Sequence, residues 1–295
     1  MYLQRQPRPS LRPFVRTLWA SNGTEPQPPD AARRERVLPT GDMHLVFRLG
    51  DEPLRLFDDV ADSAGRAVGR AVVGGARASC YVREVSSPTW SVGAQLCAGA
   101  SQLLFGMPAD ELADRHTALD DLWPRSAARI REQLHEARRP ERQLDLLDAL
   151  LEARLPTVRG LHPAVAHALA HFRTAPDIRA VVVATGYSHR GFTALFRRAV
   201  GLSPKRYCRV LRFQRVLDRV AAEPTAAWAD SALVAGYSDQ PHFNRDFREF
   251  AGITPGEYRR VSPRVAHHVA IAEVDFLQDR RRRPRYMHAM EGASQ

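Results

Sequence analysis

The side chains with the clearest chemical potential are arginines interleaved with small polar groups at helical spacing. Arg190, Thr193, Ala194 and Arg197 gather on one side of a helix. Gln240, Pro241, Asn244, Arg245 and Arg248 make a second set of the same kind. A guanidinium presents its donors in a planar fork that suits phosphates and guanine edges, while asparagine and threonine suit base edges. Such a face predicts contact with a polyanion, duplex DNA first. Ser188, Arg198, Lys205, Arg206 and Ser238 lie beside these sets. With Arg197 and Arg248 they are candidates for phosphate contacts, which position a protein without reading sequence.

The other reactive residues point away from catalysis. His162, His167 and His171 have the look of a metal cluster. The stripe Val165, Leu169, Phe172 turns the last two away from the core, and no carboxylate or cysteine joins them, so all three read as surface histidines. His267 and His268 are adjacent and do not easily face one ion. His44 reads as an interior, hydrogen-bonded residue of a strand. Asp42 and the pair Asp120-Asp121 raise acid–base chemistry, but the pair precedes an apolar Leu-Trp and reads as a helix start. Cys80, Cys97 and Cys208 stand far apart without a CxxC, which speaks against a disulfide framework or zinc finger and for buried thiols in a reducing compartment. Trp19, Trp90 and Trp123 read as core. There is no phosphate loop and no GxSxG elbow. No catalytic residue, no metal and no cofactor is expected.

What holds the arginine faces is written twice. "GYSHRGFTALFRRAVGLSPKRY" fills 186–207 and "GYSDQPHFNRDFREFAGITPGEY" fills 236–258. The Gly-Tyr-Ser triplets are 50 apart. The phenylalanines (192/243, 196/247), glycines (201/252), prolines (204/255) and tyrosines (207/258) are 51 apart, so one residue enters at the start of the second copy. In the first copy Ser188 can cap a helix and Gly201 can close it. Phe192, Leu195, Phe196 and Ala199 form its apolar stripe, with the arginine face opposite. Phe243, Phe247 and Phe250 form the second stripe. A short apolar helix precedes each copy, over 178–184 and about 226–235, followed by a glycine-bearing turn. Helix, turn and polar-faced helix is the helix-turn-helix arrangement. Between the copies, Ser203-Pro204 starts a helix reaching about residue 222. Nineteen residues at about 1.5 Å each span roughly 28 Å, close to the roughly 34 Å between successive major grooves.

Charge agrees with this placement. The net charge is +10, and a single lysine, Lys205, stands among 43 basic residues. Residues 161–262 hold 15 basic and 8 acidic side chains, whereas 1–160 are nearly balanced. That excess predicts a polyanionic partner. Residues 1–107 read as strand-rich, with short apolar runs bounded by glycine and proline. Residues 108–155 read as helical, with Leu144, Leu147, Leu151 and Leu155 at helical spacing and Pro140 between two helices. Residues 156–163 read as a linker. Residues 263–295, with the arginine run 280–283, read as a basic, flexible tail. No signal-peptide core and no run of about 20 apolar residues is present, so a cytoplasmic protein without membrane contact is expected.

Ser188, Phe192, Phe196, Gly201, Ser203-Pro204 and Tyr207, then Gly236-Tyr237-Ser238-Asp239-Gln240-Pro241-His242-Phe243, Phe247, Gly252 and Thr254-Pro255, resemble the DNA-binding domain of the AraC/XylS family over residues 161–262. The resemblance implies an all-α domain of two helix-turn-helix units joined by a long helix. It implies base contacts by Arg190, Thr193, Ala194, Gln240, Pro241, Asn244 and Arg245. Ser231 stands where the family usually has Ile, and Pro241 where it commonly has Ser. "VLPTGDMHLVFRL" and "GASQLLFGMPADELADRHTALDDLW" are similar to a domain of uncharacterised function that often precedes this one in actinobacterial regulators. By that analogy residues 1–157 form an effector-sensing or oligomerisation domain, cupin-like in fold.

The expected protein is therefore α+β, a sequence-specific transcription regulator reading two adjacent major grooves, as monomer or homodimer. Double-stranded DNA is the expected partner, with an unidentified small-molecule effector and RNA polymerase as further candidates. Two rival readings are an architectural DNA binder without sequence preference and an N-terminal enzyme fused to a DNA-binding module.

Overall fold

The computed structural model describes residues 2–22, 34–85, 90–156, 160–263 and 265–271. The tail beyond 271, including the arginine run 280–283, and linker residues 157–159 lie outside them. In chain order the strands are β1 (Tyr2–Arg5), β2 (Val15–Asn22), β3 (Arg34–Val37), β4 (Met43–Arg48), β5 (Leu54–Phe57), β6 (Arg66–Gly69), β7 (Ala71–Gly74), β8 (Tyr81–Glu84), β9 (Trp90–Leu96), β10 (His116–Ala118) and β11 (His268–Ile271). They form two antiparallel sheets, ordered β1-β2-β9-β4-β7-β10 and β11-β3-β8-β5-β6. The fold is α+β, with strands in the first half and helices in the second.

Side-chain alternation explains the layering. Met43, Leu45 and Phe47 of β4 are buried, and the residues between them are only half-buried. The buried side faces α4 (Ala127–Glu136) and α5 (Pro140–Glu152), whose Ile130, Leu134, Leu144, Leu147 and Leu151 share one apolar core with the sheet. Pro140, read as lying between two helices, is the first residue of the second, in the first turn of α5. Two short elements differ from expectation. Ala100–Phe105 is a helix, α1, inside the stretch read as strands, closed by Gly106 in the left-handed conformation. His116–Ala118 is a strand inside the stretch read as helical, paired with β7. Runs this short carry no readable period, and their neighbours decide them. Asp120 and Asp121 lie within the first turn of α3 (Leu119–Leu122), whose cap position is Ala118. Asp42 pairs with Arg16 and accepts from Gln95, at 2.8 and 3.0 Å.

After α2 (Ala109–Leu112), α3, α4 and α5 the chain is helical: α6 (Pro163–Phe172), α7 (Ile178–Thr185), α8 (His189–Val200), α9 (Pro204–Ala222), α10 (Trp228–Val234), α11 (Gln240–Ala251) and α12 (Pro255–Val261). The apolar core is continuous between the halves, and α2 lies against α8. Beyond α12 the chain returns to the N-terminal half. β11 pairs antiparallel with β3, His268 opposite Val37 and Ile271 opposite Arg34. This stretch of the segment read as a flexible tail is thus a strand. Among the described residues no helix is long and apolar enough to cross a membrane.

Candidate nucleic-acid interface

Each half of the repeat builds the same unit. Asp177 caps α7 by accepting from Ala180 N–H at 3.0 Å, and Gly186 ends it with φ 71°. Ser188 caps α8 by accepting from Gly191 N–H at 3.1 Å, and Gly201 ends it with φ 89°, a conformation that costs glycine little. In the second copy Asp239, not Ser238, accepts from His242 N–H at 2.7 Å, and Gly252 ends α11 with φ 68°. Ser238 donates to Asp239 instead. The inserted residue thus sets the offset of 51 between the capping residues Ser188 and Asp239, and α8 and α11 are both 12 residues long. Ser203 and Thr254 cap the helices that follow, Thr254 with a full capping box to Glu257.

The cores repeat as well. Phe192, Phe196, Phe243, Phe247 and Phe250 are fully buried, and Leu195 and Ala199 half-buried. Phe196 meets Tyr207 edge-on at 5.6 Å, and Phe247 meets Tyr258 in the same way at 5.6 Å. α9 serves both units: Tyr207 near its start completes the first cluster, and Phe213 lies 5.3 Å from Phe247 and from Phe250 in the second. It runs from Pro204 to Ala222, the 19 residues expected.

Opposite these cores stand the polar faces. Arg190, Ala194, Gln240, Pro241 and Arg245 are exposed, and Thr193 and Asn244 half-buried. Ser188, Arg197, Arg198, Lys205, Ser238 and Arg248 are exposed too. Their ion pairing separates them from other arginines. Among the described residues none of Arg190, Arg197, Arg198, Lys205, Arg245 or Arg248 forms an ion pair within 4 Å of a carboxylate, although Arg245 is near enough to Asp239 to help lower its pKa. Arg209 of α9, by contrast, clamps Asp246 at 2.7 Å and Glu249 at 2.5 Å. Arg206, also read as a phosphate candidate, lies 3.5 Å from Asp114 of the N-terminal half. The exposed cations of α8 and α11 are therefore free of tight internal ion pairs. Gln240, Asn244 and Arg248 follow one another at steps of four and line a pocket of about 360 Å³ with Trp228 and Thr254. The offset of 51 also pairs exposed His189 with Gln240, a position the sequence reading passed over in the first copy.

Residues 181–261 match the family model of a helix-turn-helix domain, and residues 3–118 match a domain of unknown function, DUF6597. The C-terminal segment belongs to the AraC-type helix-turn-helix family. Among curated proteins, the HTH-type transcriptional regulator GbdR of two Pseudomonas aeruginosa strains is 30% identical over 87 residues, which is 30% of this chain and 23% of that protein. The chain thus spans about a quarter of the length of the curated relatives it matches. Among solved structures, ToxT of Vibrio cholerae is 8% identical over 90% of this chain and 99% of its own, with a TM-score of 0.44. The C-terminal domain of AraT, a response regulator from Geobacillus stearothermophilus, is 20% identical over 35% of this chain and 88% of its own, with a TM-score of 0.32.

Several of the other singled-out residues have structural partners. His162 caps α6 by accepting from Ala164 N–H, and its Nε2 lies 3.2 Å from Tyr187 Oη. Trp123 Nε1 donates to Leu104 O at 3.0 Å, and Arg154 stacks 3.8 Å above its ring. Trp90 packs 4.7 Å from His135. Burial raises the pKa of all three thiols, that of Cys208 to about 11, the reverse of a reactive cysteine.

Proposed function

We propose that this protein is a transcription regulator that binds a specific DNA site by placing α8 and α11 in successive major grooves. The observation that carries the reading is the pair of faces, offset by 51 residues, whose arginines face solvent without internal carboxylate partners. Arg190, Thr193 and Ala194, with His189, and Gln240, Pro241, Asn244 and Arg245 supply base contacts. Ser188, Arg197, Arg198, Lys205, Ser238 and Arg248 supply phosphate contacts and a salt-dependent share of the affinity. The 19-residue α9 sets the spacing, which lets one chain read an asymmetric site. Residues 161–262 form the DNA-binding domain, and residues 1–157 a sensing or oligomerisation domain that takes a small effector. Thr193 and Asn244 favour sequence reading over an architectural role, because a purely electrostatic binder needs no varied polar groups there. In vitro selection of bound duplexes tests this. One asymmetric motif with two elements about one turn apart is expected; recovery of unrelated sequences at equal affinity would refute it.

A further inference from the structure

Loop 75–80, which joins β7 to β8, touches the two helix-turn-helix units at equivalent points. At one end, a Cβ on Gly201, the closing glycine of α8, would lie 3.1 Å from Ala76 Cβ and 3.1 Å from Ala109 O. At the other, Cys80 N–H donates to Phe250 O at 2.8 Å, and a Cβ on Gly252, the closing glycine of α11, would lie 3.2 Å from Cys80 Sγ. Ala76 and Cys80 of this six-residue loop therefore rest on the C-terminal ends of α8 and α11.

The same loop carries Arg77, which turns the other way, into the space between the sheets. It is 9% exposed, and its guanidinium carbon lies 4.5 Å over the Tyr81 ring. One terminal nitrogen lies 3.4 Å from His116 Nδ1. Among the described residues Arg77 has no ion pair, and both its Nε and His116 Nε2 are buried without a hydrogen-bond partner. Glu35, the carboxylate beside Tyr81, is already taken by Arg83 and His268, at 2.5 and 2.8 Å. Strand register completes the site. His44 of β4 and His116 of β10 both stand opposite Gly74 of β7. A Cβ at Gly74 would collide with the His44 ring, so the glycine lets the two imidazoles meet 5.3 Å apart over the sheet. Tyr81 closes the other side, 4.4 Å from His116.

Asp114 acts on Arg77 only from beyond ion-pair distance and lies 3.5 Å from Arg206; a buried guanidinium without a direct counter-charge is costly, and orphaned buried donors ask for a missing partner. Its planar fork matches a two-oxygen anion, and the surrounding rings offer an apolar contact surface. We propose that Arg77, His116, His44 and Tyr81 form a binding site for a small carboxylate, and that loop 75–80 transmits its occupancy to the ends of both reading helices. The transmitted effect matters for regulation only if the DNA-reading role above holds; the site itself does not depend on it.

The test uses the full chain without DNA. Sodium benzoate, against sodium chloride at equal ionic strength, should raise the thermal midpoint in a saturable way by about 2–4 °C. R77M should abolish that rise and, without benzoate, unfold no lower than the original chain, because it removes an uncompensated buried charge. A merely structural arginine would instead lower the midpoint of R77M, and that result, or an undiminished benzoate response in R77M, overturns the site. No response of the original chain, or a response to inorganic phosphate alone, overturns the carboxylate assignment. Hydrogen exchange reads the coupling: benzoate should slow the Cys80 amide and the last turns of α8 and α11. Binding with no change there overturns the transmission. Because DNA is absent, failure here leaves the groove-reading proposal standing, and the reverse also holds.

Discussion

Replacing Arg245 by alanine separates base reading from folding. The guanidinium is exposed and, among the described residues, has no carboxylate partner. Its loss leaves no buried charge behind, so stability should hold within about 0.5 kcal/mol. If Arg245 makes the base contact proposed for it, the change removes about 1–3 kcal/mol on the selected site. That is a Kd weaker by roughly 5- to 150-fold, with discrimination lost at a single base position. Arg248→Ala supplies the contrast. As a phosphate contact it should weaken selected and scrambled duplexes alike, and flatten the slope of log affinity against log salt by about 0.9. Fluorescence anisotropy on both duplexes at two salt concentrations, with a urea midpoint for each variant, measures all of this. If Arg245→Ala weakened both duplexes equally, its base-reading role would be refuted. If it lowered the unfolding free energy obtained from the urea curve by more than about 1 kcal/mol, the claim that Arg245 has no strong internal partner would fail.

Two further outcomes follow from buried charge. Arg209→Ala should cost about 3–5 kcal/mol, because it strands the buried Asp246 carboxylate; thermal unfolding reads it, and Arg209→Met with Asp246→Leu should recover most of the loss. Burial, reinforced by Arg77, lowers the pKa of His44 to about 3; burial and His44 lower that of His116 also. The unfolded chain takes up those protons near pH 6.5 while the folded chain does not, so stability should fall as pH drops from about 6.5 toward 3, by about 1 kcal/mol per imidazole at pH 5.5. Urea midpoints across that range should be flatter for His44→Asn with His116→Asn.

The repeat was readable because several local rules agreed at one offset. Stripe, caps, glycines, prolines and tyrosines all marked 51 residues, and each is a short-range signal. His189 carries no stripe or capping signal of its own, and only the offset of 51 from Gln240 marks it. The N-terminal half was legible as strands but not as a topology. Its strands are mostly four residues long, and their partners are distant in sequence, such as β11 with β3. The row His44, Gly74, His116 exists only through strand register, which no window of sequence displays. Arg206 read as a phosphate contact because its partner Asp114 lies some 90 residues earlier.

The return of the chain to β3 has a practical side. The helical region is stitched to the sheets at both of its ends, so it cannot swing like a weight on a single string. A chimera cut near residue 160 would graft a foreign DNA reader but take away the edge strand that completes the second sheet, leaving β3 open to pairing with other chains. Swapping readers between such proteins therefore calls for two junctions rather than one, with residues 268–271 left to the half they cover.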